Sequence, residues 1–466
     1  MNTEAAQFLK PGVRLFFCGI GGSGMNPLAH VMARRGCVVS GSDAREQETL
    51  AALRAAGAVC FAGHAASHVG DVDAFVYSSA IAESNPEFAE ARRRGIPCIH
   101  RAELLAALVN GMRGVTVAGA HGKTTATAMA ALMFTEAGLD PTAVVGGFVP
   151  AFDAYHRAGG SDWAVVETDE SDGSFELFAP ETAVALNIDA DHLDHYAGID
   201  EIEQAFTRHL AAVKPGGCVV YNADDERLRR VVETLRHDVR PLACSLVGNA
   251  DYRAEGIALE PWGSSFSVRA PGGSFPVRLG VPGMHNVANA LHAIAAARQA
   301  GCAVEPLQRA CAAFHGVHRR FQVLGSFNDA TIIDDYAHHP REIKAVLAMA
   351  ANLGRPVLAV FQPHRFSRLA ALLDEFTDVL RQAERLILCE VYSAGETPGA
   401  VTGETLYNRL SAVHGAVRFI PDLDDLAREV RKAARPGDVL LFLGAGSISA
   451  VAHRLARDGA SHQPAA

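Results

Sequence analysis

Short apolar runs alternate with helix-length amphipathic stretches along the whole chain, and polar residues gather where the apolar runs stop. VRLFFC at 13–18 reads as a buried strand, GIGGSG at 19–24 as a turn, and the apolar-periodic stretch to about Arg35 as a helix. CVVSGSD, ending at Asp43, and runs near 58–61, 73–77 and 96–99 continue the alternation. It restarts at 114–138, GVTVAGAHGKTTATAMAALMFTEAG, as strand, glycine turn and a helix closed by Gly138. Two more strands, within DWAVVETDESDGSF (162–175) and TAVALNIDADHLDHY (182–196), end in acidic loops. Residues 238–282 are rich in Gly and Pro, with short strands that suit an appended β-meander, and a helix follows in GMHNVANALHAIAAARQAG from 283. From about 316 a further doubly wound unit runs through ATIIDDYAHHP, PVLAVFQPHRFSR, RLILCEVYSAGE, AVRFI and DVLLFLGAGSIS.

This pattern predicts an α/β chain of three domains: a Rossmann-like first domain at 1–108, a central P-loop ATP-binding domain with a parallel sheet at 109–318, and a Rossmann-like C-terminal domain at 319–466. The length of 466 residues allows about three separate cores.

The central turn carries the most specific chemistry. A strand feeding Gly-x-x-Gly-Lys-Thr into a helix aims backbone N–H groups at a phosphate, with Lys123 in reach of its oxygens and Thr124 of Mg²⁺. Val117 stands where the full phosphate-loop pattern has a glycine. The acidic residues Glu167, Asp169, Glu170 and Asp172 at one strand end, with His192 at the next, suit metal coordination, although a hard Mg²⁺ prefers oxygen and His192 also reads as structural. The first loop, Gly19, Gly21, Gly22, Ser23 and Gly24, followed nineteen residues later by Asp43, fits a diphosphate and a ribose, and leaves NAD and a UDP-sugar both open. Asn286 and Asn289 read either as helix caps or as nucleotide contacts. Asp334, Asp335, His338, His339, His364, Arg365 and Arg368 crowd the strand ends of the last unit, where open sheets bind ligands.

Composition narrows the partners. A net charge of −10 without a basic stripe argues against nucleic acid or anionic membrane. Nine cysteines in no Cys-x-x-Cys pair suit a reducing, cytoplasmic setting. No signal peptide or apolar span of transmembrane length is read, and no internal repeat.

Eight motifs in order, GAHGKTT (119–125), ETDESD (167–172), NIDADHLDHY (187–196), GMHNVANA (283–290), GVHRRF (316–321), DDYAHHP (334–340), FQPHRFSR (361–368) and EVYSAGE (390–396), resemble those of the Mur ligases of peptidoglycan synthesis. The set is most similar to ligases that join L-alanine to UDP-N-acetylmuramate at the expense of ATP and Mg²⁺, through an acyl phosphate. The resemblance implies a UDP-binding first domain and a C-terminal domain that completes the ATP site and receives the amino acid. It implies that Gly119, Ala120, His121, Gly122, Lys123, Thr124 and Thr125 cradle the ATP phosphates and that Thr124, Glu167 and His192 hold metal. Asn286 and Asn289 would contact adenine, Arg320 the γ-phosphate and Asp335 the ribose. The first glycine loop with Ser42, Asp43 and Ser79 would hold UDP, and Tyr336, His338, His364, Arg365 and Arg368 the reacting carboxyl and alanine. Lys123, Glu167, His192, Arg320 and His338 are the catalytic candidates. Ala120, Thr168 and Ala337 depart from the usual Thr, Ala and Gly. A monomer or homodimer is expected. The rival readings are a recycling ligase that attaches a tripeptide, a nicotinamide-dependent dehydrogenase and a non-catalytic nucleotide sensor.

Overall fold

A computed structural model of the chain describes residues 3–190 and 195–461. The first sheet holds β1 (Arg14–Cys18), β2 (Val38–Asp43), β3 (Val59–Ala62), β4 (Ala74–Tyr77) and β5 (Cys98–His100). Its order is β3-β2-β1-β4-β5 and every pairing is parallel. The order reverses at β1, so the 19–24 loop leaves the sheet at its topological switch point.

The central sheet holds β6 (Arg113–Ala118), β7 (Thr142–Val149), β8 (Ala154–Arg157), β9 (Trp163–Glu167) and β10 (Thr182–Ala185). It continues through β11 (Cys218–Asn222), β12 (Arg240–Ser245), β13 (Tyr252–Glu260), β14 (Gly263–Ala270) and β15 (Gly273–Leu279). The order is β15-β14-β13-β12-β11-β10-β6-β9-β7-β8. β6, which feeds the phosphate loop, lies between β9 and β10, so both acidic loops emerge beside it. The meander is not a separate appendage: β12 pairs parallel with β13, and the last strands extend the same sheet. The antiparallel β7–β8 hairpin was not expected, because the Gly-Gly in TAVVGGFV breaks the apolar run.

The third sheet holds β16 (Gln322–Phe327), β17 (Ala330–Asp335), β18 (Val357–Phe361), β19 (Arg385–Leu388), β20 (Val417–Phe419) and β21 (Val439–Leu443), in the order β16-β17-β21-β18-β19-β20. β16 is antiparallel to β17 and was missed, since QVLGSF alternates and carries no continuous apolar core face.

Three sheets fold as two compact units. One comprises residues 1–257, 265–280 and 286–315; the other comprises 258–264, 281–285 and 316–466. Within the first unit, Leu15, Phe17 and Val76 of the first sheet share a core with Val144, Ala164 and Val166 of the central one. In the second unit, alternate residues of β18 serve two cores: Val357, Ala359 and Phe361 face one, and Leu358 and Val360 the other. All nine cysteines are free. Among the described residues no helix is long and apolar enough to cross a membrane.

Candidate active site

The phosphate loop is held by its neighbours before any ligand arrives. Asn187, one residue type in a loop that sequence reasoning quoted but gave no task, accepts from the His121 N–H (2.8 Å) and donates to the His121 carbonyl (2.9 Å). The Asp189 carboxylate lies 2.9 Å from His121 Nε2. The helix Lys123–Glu136 starts from Gly122 at φ +86° with no side chain capping its first turn, which leaves an anion-binding N-terminus. A Cβ on Gly122 would stand 2.6 Å from Asn289 Oδ1. Asn289 therefore packs against the loop itself, and Asn286 lies one helical turn before it on the same helix, both nearly buried. Gly122→Ala combines a left-handed backbone with that clash, and is expected to cost about 1–3 kcal/mol and most of the nucleotide affinity. Thermal melts and ATP titration of the variant check it.

Around this turn the carboxylates converge. Lys123 Nζ donates to Glu170 Oε1 (2.6 Å) and to the Gly119 carbonyl (2.8 Å). Burial disfavours the lysine's charge, but Glu170, Asp169 and Glu167 outweigh it and its pKa is raised. Thr124 Oγ1 donates to Glu167 Oε1 (3.1 Å), while Gly146 N–H donates to Glu167 Oε2 (2.8 Å). Burial pushes the Glu167 carboxyl above its ordinary range against the pull of Lys123. A hydroxyl and a carboxylate oxygen side by side, charge-starved by burial, fit a hard oxygen-seeking divalent cation. Asp169 is also desolvated, yet Lys123, Ser171 and Arg101 hold its pKa low. Thr125 is buried in the first helical turn, and Ala120 lies in the loop with its N–H toward the Asn187 carbonyl (3.4 Å). His192 lies outside the described residues.

The first glycine loop is anchored to β2. Gly19 and Ile20 N–H both donate to the Ser42 carbonyl (2.8 Å each), and Gly21 N–H donates to Asp43 Oδ2 (3.0 Å). Gly22 and Ser23 are exposed at the tip, and Ser79 is exposed on a turn whose Ile81 packs against Gly19. The Ser42 hydroxyl is wholly buried, 2.5 Å from Glu87 Oε2, while its carbonyl accepts from the loop. Strand alternation dictates this, because Asp43 faces the loop and its neighbour must face away. Arg101, missed from sequence, sits beside Gly24 and reaches Asp169 at 3.6 Å. It bridges the glycine loop and the acidic loop of the central sheet.

In the second unit, β17 ends in Asp335, whose carboxylate accepts from the Phe321 and Ala337 N–H groups (2.7 Å each). Burial raises its pKa to about 6. The carboxylate is 4% exposed and holds the backbone immediately after Arg320 and immediately after Tyr336. Arg319 and Phe321, which flank Arg320, adopt φ of +61° and +48°. The Arg320 guanidinium lies 5.1 Å from the Tyr336 ring centre and 3.9 Å from Glu342. Aromatic rings then link Tyr336 to His338 (5.3 Å), His338 to His364 (5.6 Å) and His364 to Tyr392 (5.5 Å). Arg368 Nη1 is 3.4 Å from His364 Nδ1. Burial, then His338, Arg368 and Arg365, lower the His364 pKa to about 3, so the imidazole is neutral. Arg365 occupies φ +69°, ψ 133°, a strained conformation that holds its side chain at this cluster. Arg365→Gly is expected to relieve about 1 kcal/mol of strain and still lower activity, as paired melts and assays would read.

Family models match in consecutive stretches: "Mur ligase family, catalytic domain" over residues 14–113, "Mur ligase middle domain" over 117–297 and "Mur ligase, glutamate ligase domain" over 319–446. A UDP-N-acetylmuramate–L-alanine ligase of Geobacter sp. (strain M21) is 43% identical over 445 residues, 93% of this chain and 95% of its own length. The chain belongs to the Mur ligase family. A second alanine ligase, from Acidithiobacillus ferrooxidans (strain ATCC 53993 / BNL-5-31), is 42% identical over 94% of this chain and 96% of its own length. The crystal structure of a UDP-N-acetylmuramate–alanine ligase from Thermotoga maritima superposes with a TM-score of 0.83 at 28% identity, covering 97% of this chain and all of that one. A murein peptide ligase from Psychrobacter arcticus shares the fold, with a TM-score of 0.73 at 24% identity over 98% of this chain and 100% of that one. As a member of the Mur ligase family the chain carries Asn187, Tyr392 and Glu170 inside motifs that marked the family. Only contact geometry separates the residues that brace the loops from those free to meet a ligand.

Proposed function

We propose that the chain is the ATP-dependent ligase that joins L-alanine to the carboxylate of UDP-N-acetylmuramate in peptidoglycan synthesis, releasing ADP and phosphate through an acyl phosphate. The observation that carries this reading is a braced phosphate loop, with Lys123 and the Thr124–Glu167 pair, inside a chain similar end to end to alanine-adding ligases. The first sheet supplies a glycine loop at its switch point for the UDP diphosphate, with Asp43 fixing the loop and Ser79 exposed beside it. Lys123, on leaving Glu170, neutralises charge on the transferred phosphoryl group. Thr124 and Glu167 would hold Mg²⁺, which when bound would screen the negative charge of the phosphates. Arg320, which lies against Tyr336 and beside the turn that Asp335 secures, is assigned to the γ-phosphate as a positive charge. His338, His364, Arg365 and Arg368 are assigned to the reacting carboxyl and the amino acid. The neutral His364 imidazole leaves Arg365 and Arg368 as the charges there that attract a carboxylate. Both nucleotide substrates place the enzyme in the cytoplasm.

The test is phosphate release from ATP and Mg²⁺ with UDP-N-acetylmuramate, supplemented with L-alanine, with the tripeptide, or with neither. Release that requires L-alanine is expected. Release only with the tripeptide would assign the chain to peptide recycling instead.

A further inference from the structure

Behind the first glycine loop, on the face that Ser42 turns toward, lies a polar cluster that the ligase reaction does not use. Glu87, on the helix Pro86–Arg93, is 0% exposed, as are Cys18 and Ser42. Its Oε2 receives Ser42 Oγ at 2.5 Å, His64 Nδ1 at 2.8 Å and Cys18 Sγ at 3.2 Å. Its Oε1 receives His68 Nδ1 at 2.9 Å and the Ala65 N–H at 3.2 Å. Neither lysine nor arginine is among these partners. Three donors thus crowd one oxygen of a buried carboxylate, with no permanent positive charge to balance it.

We propose that Cys18, His64 and Glu87 form a three-ligand site for a borderline-soft divalent cation, Zn²⁺ by the chemistry of the donor set. Their ligand atoms all lie within 4.8 Å of one another. Tetrahedral zinc with one sulfur, one nitrogen and one oxygen ligand separates them by roughly 3.2–3.6 Å. The pairs here stand at 3.2 Å (Cys18–Glu87), 3.9 Å (Cys18–His64) and 2.8 Å (His64–Glu87), which bracket that spacing. The ion would displace the thiol proton and the proton on His64 Nδ1, the neutral imidazole then carrying its proton on Nε2, and would supply the missing charge. His68 and the Ala65 N–H fix the other carboxylate oxygen, as outer partners of a metal ligand do. The His68 ring is itself stacked on Phe61 at 4.3 Å. The His64 side chain is 21% exposed and gives the site its opening to solvent and a fourth ligand. Without the ion, burial and the neighbouring Glu87 push the Cys18 thiol far up, so it stays protonated. Cys18 closes β1 directly before Gly19 and Glu87 lies on the helix Pro86–Arg93, so an ion here ties the strand end that enters the glycine loop to that helix. Among the described residues this is the one such group with a cysteine, which gives it a signature that a Mg²⁺ site lacks.

The experiment titrates the metal-stripped full-length chain with Co²⁺ in the presence of excess Mg²⁺. One Co²⁺ per chain is expected to raise a thiolate-to-cobalt charge-transfer band in the near ultraviolet, and Zn²⁺ is expected to abolish it. Cys18→Ser should lose the band, and His64→Gln should weaken Co²⁺ binding about tenfold or more. Cys98→Ser, at the half-buried cysteine of β5, should keep it. His64→Gln reads the site independently should Cys18→Ser fail to fold. No band in the parent chain, or a band that survives Cys18→Ser, overturns the proposal.

Discussion

Lys123→Ala is expected to lower phosphate release roughly 10³-fold while UDP-N-acetylmuramate binding persists, the scale set by removing one preorganised charge from a transition state. The lysine is the positive group bonded within the acidic ring at the phosphate loop: its ammonium sits 2.6 Å from Glu170, with Glu167 and Asp169 also acting on it. Its removal takes the neutralising ammonium away from the buried Glu170 carboxylate, a loss of about 3 kcal/mol or more. Lost activity in the single variant therefore mixes chemistry with stability. The double variant Lys123→Met, Glu170→Gln separates them, because it removes the stranded charge together with the lysine. It should recover the melting temperature and remain inactive, as calorimetry and phosphate release would show. Recovery of turnover in the double variant would mean that Lys123 serves the fold and not the phosphate.

Glu167→Gln is expected to cut turnover about 10²-fold or more and to raise the Mg²⁺ concentration needed for half-maximal rate. The same change should not lower the stability of the metal-free chain at neutral pH. Burial holds the Glu167 carboxyl above its ordinary range, so its charge opposes folding at high pH. That penalty is relieved as pH falls through the raised value, because the folded chain then takes up the proton more readily than the unfolded one. Glutamine removes the titration and keeps an oxygen for the Thr124 hydroxyl or the Gly146 N–H. Paired Mg²⁺ titrations at neutral pH, and melts followed as the pH falls from neutral, check both halves. An unchanged Mg²⁺ requirement would remove Glu167 from the metal site.

Apolar periodicity was enough to place nearly every parallel strand, because strands buried on both faces read as continuous runs such as VRLFFC and VLLFL. The same rule passed over β11 (Cys218–Asn222) and hid β16 and the β7–β8 hairpin, whose polar positions and glycines dilute the signal. Loop chemistry was legible as residue types at strand ends, and the convergence of the two acidic loops on the phosphate turn followed once β6 lay between β9 and β10. What a linear string could not carry was direction. Ser42 and Asp43 are adjacent in sequence and face opposite sides of the first sheet, so one enters the Glu87 cluster and the other ties down Gly21. Asp335 stands among charged residues in sequence, yet its oxygens are given to backbone N–H groups. Arg101 lies more than sixty residues from Asp169, and no local pattern joins them.

The most direct measurement follows oxygen. With ¹⁸O placed in the carboxylate of UDP-N-acetylmuramate, turnover with ATP, Mg²⁺ and L-alanine should transfer one labelled oxygen to the released phosphate, read by mass spectrometry. Unlabelled phosphate beside product that keeps its full label, or label recovered in AMP, would contradict an acyl phosphate formed at this site.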